Sequence, residues 1–200
     1  MRHLIIYAHP NENSLNHSLL DIVVENLKLQ NHEIIIRDLY NIGFDPVLSL
    51  DDIKKQHLGK VNDDILLEQE YISWAEQITF IYPIWWTGLP AIMKGYIDRV
   101  FSYGFAYRYD LGIQKGLLKG KKTIIINTHG KSHEEYERTG MDKALTLTSD
   151  NGIFIYSGLE IIKHLFFDKA DKASHEDLEN WKDQIKNVYS QPNIIMSNNR

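Results

Sequence analysis

The sequence predicts a doubly wound α/β domain, with five parallel strands in the order 2-1-3-4-5 and helices on both faces. Two observations carry this reading. Five short apolar runs rich in β-branched residues, Leu4–Ala8, Glu33–Arg37, Ile78–Tyr82, Thr123–Asn127 and Leu159–Leu165, read as strands buried on both faces. Helix-period segments fall between them, and repeated strand–helix alternation implies a parallel sheet covered on each side. Right-handed crossovers then favour the order 2-1-3-4-5. The 200-residue length, with 43% hydrophobic and 24% charged residues, suits a folded chain with a real core. Residues 1–190 read as a single domain and 191–200 as a C-terminal tail.

After the first strand, Leu15, Leu19, Ile22, Val23 and Leu27 recur at helical spacing, with Asn13 or Ser14 as the cap. The second strand leads into Tyr40–Asn62, longer than a typical connection, which reads as a lid, a partner contact or an irregular insertion. Ile65, Tyr71, Ile72 and Ala75 mark the next helix. Another starts at Leu89–Pro90, where proline suits a first turn, and presents Ile92, Met93, Tyr96, Ile97 and Val100. A weaker helix is expected near Met141–Ser149. The last begins at Ser174, with Asp177 completing a capping box, and carries Leu178, Trp181, Ile185 and Val188.

Composition excludes several kinds of chemistry. The net charge of -5, with no basic stripe, argues against nucleic acid. With no cysteine there is no disulfide, thiolate nucleophile or cysteine-ligated metal. No signal peptide or membrane-length apolar run is visible, so a cytoplasmic location is expected. His3, His9, His17 and His32 lack helical His-x-x-x-His pairing, so no metal site is expected. The run Glu134, Glu135, Glu137 reads as a solvated face, and no Gly-x-Ser-x-Gly elbow marks a hydrolase.

A fold of this kind binds ligands at the carboxyl ends of its strands. Three loops fall there. His9 to Asn16 either caps a helix or uses its amides, Ser14 and Asn16 to hold a phosphate. Tyr82 to Pro90 places Trp85 and Trp86 in a turn, where small polar residues are usual. A planar ligand explains the pair, as does packing into a core or dimer interface. Asn127 to Lys131, running on to Tyr136, offers backbone approach at Thr128 and Gly130, with Tyr136, His129 and His133 as hydrogen-bonding groups. The alternative for that loop is a solvated connection.

With these residues in view, the chain resembles the NAD(P)H:quinone oxidoreductases of the flavodoxin-like superfamily, the DT-diaphorase type. It also resembles bacterial relatives that include modulators of drug activity and ancillary proteins of potassium efflux. The stretch Tyr82–Phe101 with Gly104–Tyr107 carries most of the likeness. Ala8-His9 with Ser14-Leu15-Asn16, and Asp38-Leu39-Tyr40 with Phe44-Asp45-Pro46, add to it.

The resemblance implies a flavin, FAD in preference to FMN, and NADPH or NADH as electron donor. It assigns His9, Ser14, Leu15 and Asn16 to the phosphates and ribityl chain. Pro83, Ile84, Trp85 and Trp86 fall to the isoalloxazine ring, as do Asn127, Thr128 and Gly130. Tyr136 and His129 become the catalytic candidates. Asn127 and His129 depart from the Thr-Thr-Gly-Gly pattern of that loop, and Tyr136 aligns after a one-residue shift. Trp86, Tyr107 and Tyr109 would bind a quinone-like acceptor, the two tyrosines reaching a partner subunit's pocket in a homodimer. Ping-pong hydride transfer follows as the expected activity. The alternative is a flavin-binding regulatory subunit that makes peripheral contact with a potassium-efflux membrane protein.

Overall fold

The computed structural model describes residues 1–190; the expected tail 191–200 lies outside the described residues. Strand β1 (Arg2–Tyr7) is followed by α1 (Leu15–Leu29), β2 (Glu33–Asp38), α2 (Leu50–His57), α3 (Asp63–Trp74), β3 (Gln77–Pro83) and α4 (Ala91–Val100). A hairpin of β4 (Tyr107–Asp110) and β5 (Ile113–Gly116) precedes β6 (Lys122–Thr128). Then come α5 (His133–Thr139), α6 (Met141–Thr146), a π-helical segment Leu147–Ile155, β7 (Glu160–Phe167) and α7 (His175–Ser190). The main sheet runs β2-β1-β3-β6-β7, all parallel, which is the expected order.

Alternation along the strands builds a core on each face. Leu4, Ile6, Phe80, Tyr82 and Ile125 pack with α3, α4 and Phe154 of the π-helical segment. Ile5, Tyr7, Ile81, Ile124, Ile126 and Phe167 pack with α1 and α7, where Trp181 stacks on Phe167 at 4.9 Å. Ser174 and Asp177 form the expected reciprocal cap of α7.

Two regions differ from the sequence expectation. The Tyr40–Asn62 connection is ordered around α2, whose Ser49–Asp52 capping box nucleates it. Its Pro46 lies so close to α4 that a Cβ on Gly95 would fall 2.2 Å from the Pro46 carbonyl oxygen. This connection is therefore a packed strap. The weak helix expected at Met141–Ser149 becomes π-helical at Leu147 and continues to Ile155. A π-helix carries an extra residue per turn, so 3.6-residue periodicity fades there.

The amino-terminal ends of the strands hold a buried polar cluster. His3 Nε2 lies 2.9 Å from Thr79 Oγ1, which is 2.7 Å from the Tyr189 hydroxyl. Burial, with the neighbouring His32 adding, pulls the His3 imidazole down to about 3. Below its ordinary value near 6.5 the unfolded chain binds a proton that the folded one refuses. The His3 contribution to stability is full above about pH 6.5 and falls by at most about 1.4 kcal/mol per pH unit on acidification until about pH 3. His3→Gln should flatten that slope by one proton's worth in urea titrations at pH 7, 6 and 5. An unchanged slope would place the acid sensitivity elsewhere.

Candidate active site

The topological switch point lies between β1 and β3, and the loops leaving β1, β3 and β6 meet at their carboxyl ends. Polar links hold the three together. Asn16, in the first turn of α1, is buried and donates through Nδ2 to Thr128 Oγ1 at 2.9 Å. The Ile84 amide donates to the Thr128 carbonyl at 2.8 Å. Thr128 thus joins the first loop to the second and third.

The first loop ends in a built helix start. Ser14 caps α1, accepting from the His17 amide, and the first turn contains no acidic residue. The leading amides of a helix have no intrahelical carbonyl to bond, so this end favours an anion. Asn16 Oδ1 is buried and has no hydrogen-bond partner. His9 is pinned through Nδ1, which lies 3.1 Å from the Asn11 amide and 3.2 Å from its carbonyl. Its ring rests at 5.8 Å from that of Trp85.

The second loop is a tight turn. Trp85 and Gly88 exchange both backbone hydrogen bonds at 3.1 Å, and the central residues Trp86 and Thr87 have φ of +50° and +58°. Positive φ at both centres defines a type I′ turn, which normally takes Asn and Gly. A bulky aromatic followed by a β-branched residue is strained there. The strain leaves Trp86 fully exposed while Pro83 is buried in β3 and Ile84 partly so. Packing of Trp86 into this chain's own core is thereby ruled out, and Trp85 is 41% exposed.

In the third loop Asn127 is buried, and its amide donates to the Tyr82 carbonyl at 3.0 Å. His129 is only 3% exposed, and its ring stacks on Tyr136 at 4.5 Å and 11°. Neither ring nitrogen makes a hydrogen bond. Burial lowers the His129 imidazole below its ordinary value, partly offset by the nearby Lys131 backbone, so the ring is neutral near pH 7. Tyr136 sits in the first turn of α5, capped by Ser132, and burial raises its phenol. It is a protonated donor at neutral pH. Gly130, which follows His129 in this loop, is exposed, and Leu15, the first residue of α1, is half-buried.

Tyr107 and Tyr109 stand on β4 of the β4–β5 hairpin. They pack with Tyr103 and Tyr156, and the Tyr109 hydroxyl lies 2.9 Å from that of Tyr156. The hairpin turns through Leu111 and Gly112 with φ of +51° and +80°, and Leu111 is fully exposed. Gly116 is locked against Gly158, where a Cβ would meet backbone nitrogen at 2.3 Å. Sequence reading did not foresee Tyr156 or the hairpin, because Asp-Leu-Gly lacks the usual Asn-Gly signal. Among the described residues no cluster of potential ligands could hold a metal ion. No described helix is long and apolar enough to cross a membrane.

Known proteins place this site in context. A family model described as flavodoxin-like fold matches residues 1–188. An NAD(P)H oxidoreductase of Haemophilus influenzae is 39% identical over 184 residues, covering 88% of this chain and 91% of that one. The NAD(P)H dehydrogenase [quinone] 1 of Rattus norvegicus is 28% identical, covering 95% and 78%. A crystal structure of a quinone reductase from Klebsiella pneumoniae superposes with a TM-score of 0.85 at 29% identity, covering 94% and 83%. With that match over nearly the whole chain, this protein belongs to the flavodoxin-like NAD(P)H:quinone oxidoreductase family.

Proposed function

We propose that the protein is a flavin-dependent NAD(P)H oxidoreductase that passes two electrons to a quinone or similar flat acceptor. The observation that carries this is the convergence of an acid-free helix start, a strained turn displaying an indole, and a loop with a neutral His–Tyr stack. Each element suits a different part of one ligand: an anionic tail, a planar ring and the ring's polar edge. The buried Asn16 oxygen without a partner supports the fit, since such an atom is costly unless a ligand satisfies it.

His9, Ser14, Leu15 and Asn16 would hold the phosphate and ribityl part. Pro83, Ile84, Trp85 and Trp86, with Asn127, Thr128 and Gly130, would hold the ring. When bound, a flavin supplies the hydride chemistry that no side chain can perform. The chain's part is to orient it, exclude water and stabilise charge. The Tyr136 hydroxyl would donate to negative charge at the ring edge, and the stacked His129 would hold the tyrosine ring in place. FAD is the favoured cofactor and FMN the alternative.

The same reading includes a cytoplasmic homodimer. The exposed hairpin residues Tyr109, Leu111 and Ile113 would reach a second copy and, with Trp86 and Tyr107, wall its acceptor pocket. Light scattering should then report twice the chain mass. Donor and acceptor would use one pocket in turn, so double-reciprocal plots at several acceptor concentrations should run parallel. Intersecting lines would rule out a shared pocket.

A further inference from the structure

We propose that Asp150, His164 and Asn127 form a charged positioning chain beneath the site, with His164 held as an imidazolium against the Asp150 carboxylate. Through Asn127 this chain fixes the loops leaving β3 and β6. Its bearing on a cofactor rests on the flavin reading above.

The protonation follows from the hydrogen-bond geometry. Both amide hydrogens of Asn127 are used, on the Tyr82 carbonyl at 3.0 Å and the Ile126 carbonyl at 3.2 Å. Turning the amide over would set its oxygen against two carbonyl oxygens, so Oδ1 must face His164. His164 Nε2 lies 2.7 Å from that oxygen and therefore carries a hydrogen. His164 Nδ1 lies 2.8 Å from Asp150 Oδ1. A carboxylate only accepts, so Nδ1 carries a hydrogen as well. The pair is well shielded, with side chains 7% and 11% exposed.

The surroundings hold this arrangement in place. The imidazole stacks on Phe166 at 3.9 Å and 22°. The Ser149 hydroxyl lies 2.7 Å from the same Asp150 oxygen. Asp150 stands on the π-helical segment, a rare form that recurs where side chains must be aimed at a site. Asn127, at the far end, spans to the carbonyl of Tyr82, just before the turn bearing Trp85 and Trp86. The sequence did carry one signal, a histidine inside the apolar run Ile161–Phe167.

Two measurements test the chain. In full-length protein with 15N-labelled histidine at pH 7.5, both ring nitrogens of His164, assigned by their loss in His164→Gln, should show protonated shifts. In Asp150→Asn, Nδ1 should lose its proton and Nε2 keep its own. A bare ring nitrogen in the unsubstituted protein would overturn the proposal, whether or not flavin binds. The second measurement is the midpoint potential of bound flavin. His164→Gln leaves the Asp150 carboxylate uncompensated and should disfavour the reduced form about tenfold, or about 30 mV for two electrons. Asp150→Asn/His164→Gln removes that charge and should restore the potential. A double variant no better than His164→Gln would show a role in packing alone and sink the charged chain. Absence of bound flavin in the unsubstituted protein would instead refute the functional reading, leaving the nitrogen shifts to decide the chain.

Discussion

Replacing Arg99 by methionine is expected to destabilise the fold by about 3–5 kcal/mol, the cost of stranding one partner of a buried ion pair. Arg99 is 5% exposed on α4. Its Nε and Nη2 each lie 3.2 Å from the two oxygens of Asp52, and its Nη1 donates to the Asp45 carbonyl at 2.8 Å. Asp64 adds a more exposed contact at 2.9 Å. Asp52, in the first turn of α2, completes the capping box that Ser49 opens, so one guanidinium ties the strap before α3 to the helix that follows the tryptophan turn. Burial alone would push the Asp52 carboxyl up, but the bonds from Arg99 and Ser49 hold it well below the usual carboxylate range.

The sign of the pH effect follows. A depressed carboxyl stabilises the fold fully above its unfolded value near 4, and that stability is lost as pH falls below about 4. The deficit of Arg99→Met should accordingly be largest at neutral pH in urea titrations and shrink in acid. Pairing it with Asp52→Asn should recover part of the loss, because no charge is then stranded. A deficit under about 1 kcal/mol at pH 7 would mean that water reaches the pair, as it does for surface bridges.

Tyr136→Phe is expected to slow reduction by NAD(P)H about 100-fold, the lower range for a positioned proton or charge partner. The substitution keeps the ring that stacks on His129 and removes only the hydroxyl. Tyr136 is half-buried in a seven-residue helix, so stability should change by no more than about 0.5 kcal/mol. Stopped-flow traces should show the slowed phase with the oxidised spectrum unaltered. A rate within twofold of the parent would remove Tyr136 from the chemistry and leave the loop amides near Gly130 to stabilise charge.

Much of this architecture could be read from the chain because it is local. Strands such as Leu4–Ala8 and Thr123–Asn127 are continuous apolar runs, and Ser14 and Ser174 are caps written within a few residues of the helices they start. The order of the sheet followed from handedness. What stayed hidden depends on contacts distant in sequence. Asp52 reads as one more acidic residue until Arg99, 47 positions later, packs on it. The hairpin at Tyr107–Gly116 is held by the approach of Gly116 to Gly158, which no local pattern announces. His129 and Tyr136 were visible as residues, but their parallel stack was not, because it needs the turn into α5 that Ser132 caps. Likewise, Trp86 could be core or surface until the positive φ at Trp86 and Thr87 turned it outward.

The central claim is that the three loops hold a flavin that NAD(P)H reduces. Its most direct test is the visible spectrum of the purified protein, followed anaerobically as NADH or NADPH is added, with the released cofactor identified by mass. The account predicts a yellow protein with one flavin per chain, bleached by at least one nicotinamide and recoloured by a quinone. A colourless protein that neither FAD nor FMN can reconstitute would contradict it.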